Sequence, residues 1–306
     1  VIGGTLFEQY ATTYANYLVR FVDAFRSDRI PIFALTVPTA QDFEPLPYPG
    51  MNLPGDARAR IIGKYLGPAL AGRKPGTAIL GWDHNWDESN QPLSVLADPD
   101  ARRYVAGVAW HCYRGDPTVQ TTVHRAFPKK DVYLTECSGG DWPSARNGEL
   151  LLFARNIIMG AISNWARGVV YWNLALDENH GPHAGGCDEC KDVVTIDSAT
   201  GSISRNDEYY AFAHFSRFVL PGAARVKSGN TNAGVHEVAF QNLPDQGRRD
   251  GSVVLVAVNG NTTTNRLSVK QGSLRFQYDL PASSVATFVW SPAAASAPAP
   301  AASSAR

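Results

Sequence analysis

Five short apolar runs, none long enough for a helix, recur along the first two thirds of the chain at residues 30–37, 78–82, 105–110, 131–135 and 168–172. Runs of this length that do not alternate with polar residues read as strands covered on both faces, as in a parallel sheet. Helical stretches lie between or beside them. The clearest is 150–165, where Leu150, Phe153, Ile157, Ile158 and Ile162 recur at helical spacing, and a later one covers 207–218. Ahead of the first run, Tyr10, Tyr14, Tyr17, Leu18, Phe21, Val22 and Phe25 predict one apolar face of a helix. Strand and helix alternate, the pattern of α/β crossover units. From about Val219 the pattern changes to short alternating strands at 235–240, 252–258, 267–269, 274–278 and 285–290, punctuated by Asp250-Gly251, Asn259-Gly260 and Gln271-Gly272. That reads as a β-sandwich. The remaining 293–306 is almost all Ala, Pro and Ser, a composition that cannot offset its ordering entropy and predicts a disordered tail. The expected organisation is therefore an α/β domain over 1–219, a sandwich over 220–292 and a tail over 293–306.

Charge narrows the partners. The 28 basic and 28 acidic residues balance and the seven histidines are scattered, so there is no basic field for a phosphate backbone or an anionic bilayer. Nucleic acid is not an expected partner. No apolar run approaches the ~20 residues of a membrane-spanning helix. The start, Val1-Ile-Gly-Gly4, has neither an initiating Met nor a signal-peptide pattern, so the natural beginning is expected to lie upstream.

Polar residues at the ends of the apolar runs mark the candidate site, because the C-terminal edge of an α/β barrel carries the functional loops. Asp83-His-Asn-Trp86, His111, Glu136 and Trp172-Asn173 converge there. A carboxylate ending a buried strand must face a cleft or find a partner, which makes Glu136 the leading candidate for chemistry. The aromatic and amide residues Trp82, Trp86, Trp110, Trp172 and Asn173 would suit a sugar ring; each could instead be a satisfied structural residue.

At these residues the chain resembles glycoside hydrolase family 30, the glucosylceramidase-like enzymes. The carriers are Gly81-Trp-Asp-His-Asn-Trp-Asp87, Val108-Ala-Trp-His-Cys-Tyr113, Leu134-Thr-Glu-Cys-Ser-Gly139, Val170-Tyr-Trp-Asn-Leu-Ala-Leu-Asp177 and Gly181-Pro-His-Ala-Gly-Gly-Cys187, in the family's order and spacing. The similarity continues through Tyr209-Tyr-Ala-Phe-Ala-His-Phe-Ser-Arg-Phe218 into the C-terminal part. It implies a (β/α)8 barrel with an attached β-sandwich, retaining hydrolysis of β-linked sugars or glycolipids without metal or cofactor, and export from the cell. Glu136 then matches the nucleophile. His111, Trp172 and Asn173 match residues lining the sugar site, and the strand-end reading adds Asp83 and Trp86 as substrate-binding candidates.

Two departures accompany the resemblance. Where the family carries Val-Gln-Asn-Glu-Pro, this chain reads Val37-Pro-Thr-Ala-Gln41, so Ala40 occupies the acid/base position and Thr39 that of the substrate-binding Asn. Asp42 and Glu44 follow, displaced by two and four residues, enough to defeat proton transfer. The resemblance also makes the first apolar run barrel strand four, so only strands four to eight are expected. A five-stranded sheet with open edges is an aggregation liability, and a fragment of a longer chain is the expectation. A non-catalytic sugar-binding relative is the alternative.

The cysteines leave alternatives open. Cys187-Asp-Glu-Cys190, with His180 and His183, has spacing that a zinc ion could use, while a small disulfide or free thiols are equally compatible. Cys112 and Cys137 each follow a candidate site residue, and strand alternation predicts buried core thiols.

Overall fold

The computed structural model describes residues 4–40, 50–74, 76–141, 149–183, 187–229, 233–243 and 251–291. The chain divides into two compact units, 1–210 and 211–306. The predicted tail and the Asp42 and Glu44 carboxylates lie outside the described residues.

The first unit opens with helix α1 (Ala11–Ser27) and is built on a parallel sheet of five strands. These are β1 (Ala34–Thr36), β2 (Ala78–Asn85), β3 (Val105–His111), β4 (Asp131–Glu136) and β5 (Ala166–Val169), lying side by side in chain order. The returns are α2 (Gly55–Arg60), continuing through a π-helical segment into α3 (Gly67–Leu70); α4 (Asn90–Ala97) with α5 (Pro99–Arg102); α6 (Thr118–Ala126); and α7 (Glu149–Leu152), likewise continuing into α8 (Gly160–Ser163). Right-handed crossovers between neighbouring parallel strands put every return on the same face. This is the winding of a barrel; a doubly wound sheet would reverse its strand order.

Two strands are shorter than the apolar runs that predict them. In 30–37 only Ala34–Thr36 pairs, and Pro31 has no N–H to give to a ladder. The run at 168–172 pairs only as far as Val169. Beyond it, single bonds from Val170 N to Leu134 O (2.8 Å) and from Trp172 N to Cys137 O (2.9 Å) keep the chain beside β4. The predicted face of α1 is corrected as well. Its buried residues are Ala11, Ala15, Leu18, Val19 and Val22, whereas Tyr10, Tyr17, Phe21 and Phe25 are exposed. Small alanines let the helix lie close against the Ile61–Leu66 segment, which rotates the aromatic stripe outward.

Arg58 fixes the end of the first strand. Fully buried, it donates from Nε to Val37 O (2.7 Å) and from an Nη to Leu53 O (2.5 Å), with its guanidinium 4.6 Å from the Trp82 ring centroid. A small sheet that the sequence pattern did not reveal follows β5: β6 (Ala175–Leu176), β7 (Val194–Ile196) and β8 (Ile203–Arg205). Strands of two or three residues carry no periodicity to detect. Buried Asp192 anchors this sheet, accepting from Leu176 N (2.6 Å), Asn206 Nδ2 (2.8 Å) and Thr195 Oγ1 (3.1 Å).

Helix α9 (Asp207–Ser216) spans the boundary between the units. The second unit has an antiparallel sheet in the order β14-β11-β10-β9 and a hairpin, β12-β13. The strands are β9 (Ala224–Val226), β10 (Val235–Gln241), β11 (Val253–Asn259), β12 (Asn265–Gln271), β13 (Leu274–Leu280) and β14 (Ser284–Trp290). Val235, Ala239, Leu255, Ala257, Leu267 and Leu280 form its core. Gln271-Gly272 is a hairpin turn: Gln271 pairs with Leu274, and Gly272 takes φ 58°. Asn259-Gly260 instead leads from one sheet to the other. There the fully buried Asn259 amide donates to Thr263 O, Leu280 O and Pro281 O and accepts from Asn261 N and Asn265 Nδ2. Asn259→Ala strands these groups and is expected to cost the unit about 2–4 kcal/mol, read as a lowered urea midpoint.

Candidate active site

The C-terminal ends of β2, β3 and β4 meet around one carboxylate. Asp83 is 7 % exposed and accepts from Thr36 Oγ1 at 2.7 Å, Thr135 Oγ1 at 2.6 Å and His111 Nε2 at 3.1 Å. Burial alone would raise the Asp83 carboxyl; the His111 hydrogen bond and charge and the two threonine hydroxyls outweigh it and hold the group below the ordinary range. Since Asp83 accepts, the Nε2 of His111 is the nitrogen that carries the proton.

The pairing of β3 with β4 is irregular at this point. Trp110 stands opposite Leu134, but His111 stands opposite Glu136, so Thr135 is an extra residue on β4. Such a bulge re-aims the side chains around it. Thr135 turns to Asp83, and Glu136 comes alongside His111 with Oε2 3.8 Å from Nε2. Tyr113 donates its hydroxyl to Glu136 Oε1 at 3.0 Å. Glu136 keeps 29 % side-chain exposure, open to a substrate while both its oxygens face polar neighbours.

The other predicted residues divide. Ala40 lies four residues past the end of β1, half-buried at φ 46°, with its N–H donating to Asp83 O at 2.9 Å; Thr39 beside it is exposed. Trp172 is 50 % exposed, tied by its N–H to Cys137 O, and joined to Asn173, whose carbonyl accepts from Val193 N. Trp86 stands apart: it is buried and its Nε1 donates to Gln120 Oε1 at 2.8 Å, on the α6 side of β2. Trp82 and Trp110 are buried too, so of the four tryptophans expected near a sugar only Trp172 offers an open ring.

Tyr113 is the site residue that sequence reasoning missed. It stands two residues past a strand end, inside the run that already carried His111. The expectation of free thiols at Cys112 and Cys137 is also corrected: the two form a disulfide, with Cα atoms 5.2 Å apart. Register explains it. With His111 opposite Glu136, the next residue on each chain falls within bridging distance. Closing a 25-residue separation, this bridge contributes roughly 3.5 kcal/mol in a chain-entropy account. Cys187 and Cys190 are likewise paired.

Parallel barrel strands that present an accessible carboxylate beside aromatic and imidazole side chains have the build of sugar-cleaving barrels. Residues 1–219 match the Glycosyl hydrolase family 30 TIM-barrel domain, and 222–288 match the Glycosyl hydrolase family 30 beta sandwich domain. The chain belongs to glycoside hydrolase family 30, with the family's TIM-barrel and C-terminal β-sandwich domains. It is similar to an endo-1,6-beta-D-glucanase of Neurospora crassa, 35 % identical over 89 % of this chain and 57 % of the relative. It is also similar to the lysosomal acid glucosylceramidase of Mus musculus, 28 % identical over 94 % of this chain and 57 % of the relative. A solved endo-β1,6-glucanase superimposes with a TM-score of 0.86 at 31 % identity, covering 95 % of this chain and 65 % of that one. The chain thus spans little more than half the length of the curated relatives it matches.

Proposed function

We propose that Glu136 is the nucleophile of a retaining β-glycosidase site acting on β-linked glucosides. The observation that carries this reading is the Glu136 carboxylate itself: half-buried yet accessible, at a strand end, held by Tyr113 and flanked by His111. Retention needs a second carboxyl ~5–5.5 Å away that first gives and then takes a proton. Asp83 cannot serve, because three donors occupy it and hold it ionised. Ala40, at the position of the family's acid/base, has no proton to give. The chain as it stands is therefore a nucleophile-bearing half of the site, suited to glycosides whose leaving group departs without protonation. The β-1,6-linked glucans are the favoured natural substrate class, because relatives named as endo-1,6-beta-D-glucanases match at 34–35 % identity, above the glucosylceramidase at 28 %. Trp172 offers the sugar an open face, and Asn173 and the exposed Thr39 are the polar side chains proposed to bind it. Two disulfides favour an oxidising compartment, hence export. Among the described residues no helix is long and apolar enough to cross a membrane.

A second reading, sugar binding without cleavage, is favoured by Ala40. One reagent separates the two. A 2-deoxy-2-fluoro-β-glucoside with a dinitrophenolate leaving group needs no acid, and should add one fluoroglucosyl unit to the peptide containing Glu136. An intact chain whose mass stays unchanged, yet which retains the sugar on a column, is a binder.

A further inference from the structure

We propose that the Cys112–Cys137 disulfide is a positioning element for the nucleophile, setting the Glu136 carboxylate against its two partners. It rests on the reading of Glu136 given above. The bridge joins Cys112 to Cys137, and each cysteine neighbours the groups in question. Cys112 lies between His111 and Tyr113, the two residues whose side chains face Glu136, at 3.8 Å and 3.0 Å. Cys137 directly follows Glu136. One covalent link therefore ties the His111-Cys112-Tyr113 tripeptide to the nucleophile's own backbone.

Main-chain pairing is irregular where this link is made. The bulge at Thr135 breaks the even β3–β4 ladder, and β3 ends at His111. The 112–114 segment is bonded toward β2, through Tyr113 N to Asn85 Oδ1 (3.1 Å) and Trp86 N to Arg114 O (3.0 Å). Those bonds fix the Tyr113 backbone relative to β2; the disulfide fixes it relative to β4, where Glu136 sits. On the far side, Cys137 O accepts from Trp172 N, so the same residue also registers the open tryptophan.

The positions of the cysteines separate positioning from mere stability. The second bridge, Cys187–Cys190, closes a separation of three residues and, among the described residues, has no sequence neighbour bonded to Glu136; Cys190 Sγ meets Ser138 Oγ at 3.6 Å, two residues beyond Glu136. Removing it should leave the maximal rate constant for fluoroglucosyl labelling unchanged. Cys112→Ser with Cys137→Ser should lower that rate constant about ten- to a hundredfold, the order of loss that a misplacement near 1 Å produces, with the half-saturating concentration little altered. In a Cys187→Ser/Cys190→Ser background a phosphine reductant should lower the rate and reoxidation restore it, a reversal that misfolding would not give. Hydrogen exchange supplies the independent arm: reduction should deprotect 111–114 and 136–139 while the rest of the sheet stays protected. An unchanged rate constant in the double serine variant, or unchanged exchange in those two segments, overturns the proposal. If the oxidised chain takes no label at all, the nucleophile reading falls, and the exchange experiment alone decides whether the bridge holds the two strand ends in place.

Discussion

Dinitrophenyl β-glucoside is expected to be consumed slowly by this chain in plain buffer and about a hundredfold faster once azide is added, with β-glucosyl azide as the product. The factor lies at the lower end of the ~10²–10⁴ that general acid–base assistance supplies. Departure of dinitrophenolate needs no proton, so the sugar can pass to Glu136 without help. Release of the sugar is different, because water must lose a proton as it attacks, and Ala40 has no group to take it. Azide attacks as an anion and evades that requirement; two inversions at the anomeric carbon return the β configuration. Glu136→Gln should reduce consumption to the uncatalysed rate with or without azide, since a carboxamide cannot form the glycosyl ester. Rapid turnover in water without azide would mean that another base reaches the site, and the reading of Ala40 would fail.

Asp83→Ala should cost about 3–5 kcal/mol, because it removes the shared acceptor of three hydrogen bonds at roughly 1–3 kcal/mol each, and should slow labelling of Glu136 by a further ten- to a hundredfold. Three strands converge on this side chain through Thr36, His111 and Thr135. Without it buried His111 loses its acceptor and is free to turn, half-buried Thr36 loses its own, and Thr135 keeps only the Trp110 carbonyl at 3.3 Å. The pH dependence has a definite sign. The folded-state carboxyl lies below its usual value of 3.8, so its stabilisation is complete above about pH 4–5 and is lost as the pH falls below 3.8 toward the depressed folded value. Acid unfolding followed by circular dichroism should therefore begin at higher pH in Asp83→Asn than in the parent. Coincident acid transitions would show that the ion is not what holds the network.

Much of this arrangement was legible in the chain, and the residues that were not share a cause. The β2, β3 and β4 runs are continuous and apolar, and each ends on a polar residue that the structure places at the sheet edge. Periodicity erred on α1, where it weighted aromatic size; alanine, which permits close helix packing, was the better marker of the buried face. Trp86 lies next to a strand end, where a sugar platform is expected, but the direction of a side chain at a strand terminus depends on local register, and β2 carries an irregularity of its own between Leu80 and Asp83. The same ignorance of register hid the Cys112–Cys137 bridge. Alternation along one strand says which way a cysteine points, not which residue of the next strand stands opposite. Tyr113 was missed because loop residues carry no period at all.

The shared carboxylate has a last consequence, for how such sites can change over time. Thr36, His111 and Thr135 come from three different strands, yet all three spend a hydrogen bond on Asp83. Substitutions at these four positions cannot be judged singly, because the cost of losing one donor depends on how many others still neutralise the acceptor. Lineages of this fold should therefore exchange them as a set, and an aligned collection of relatives should show the four positions varying together while the apolar residues between them drift independently.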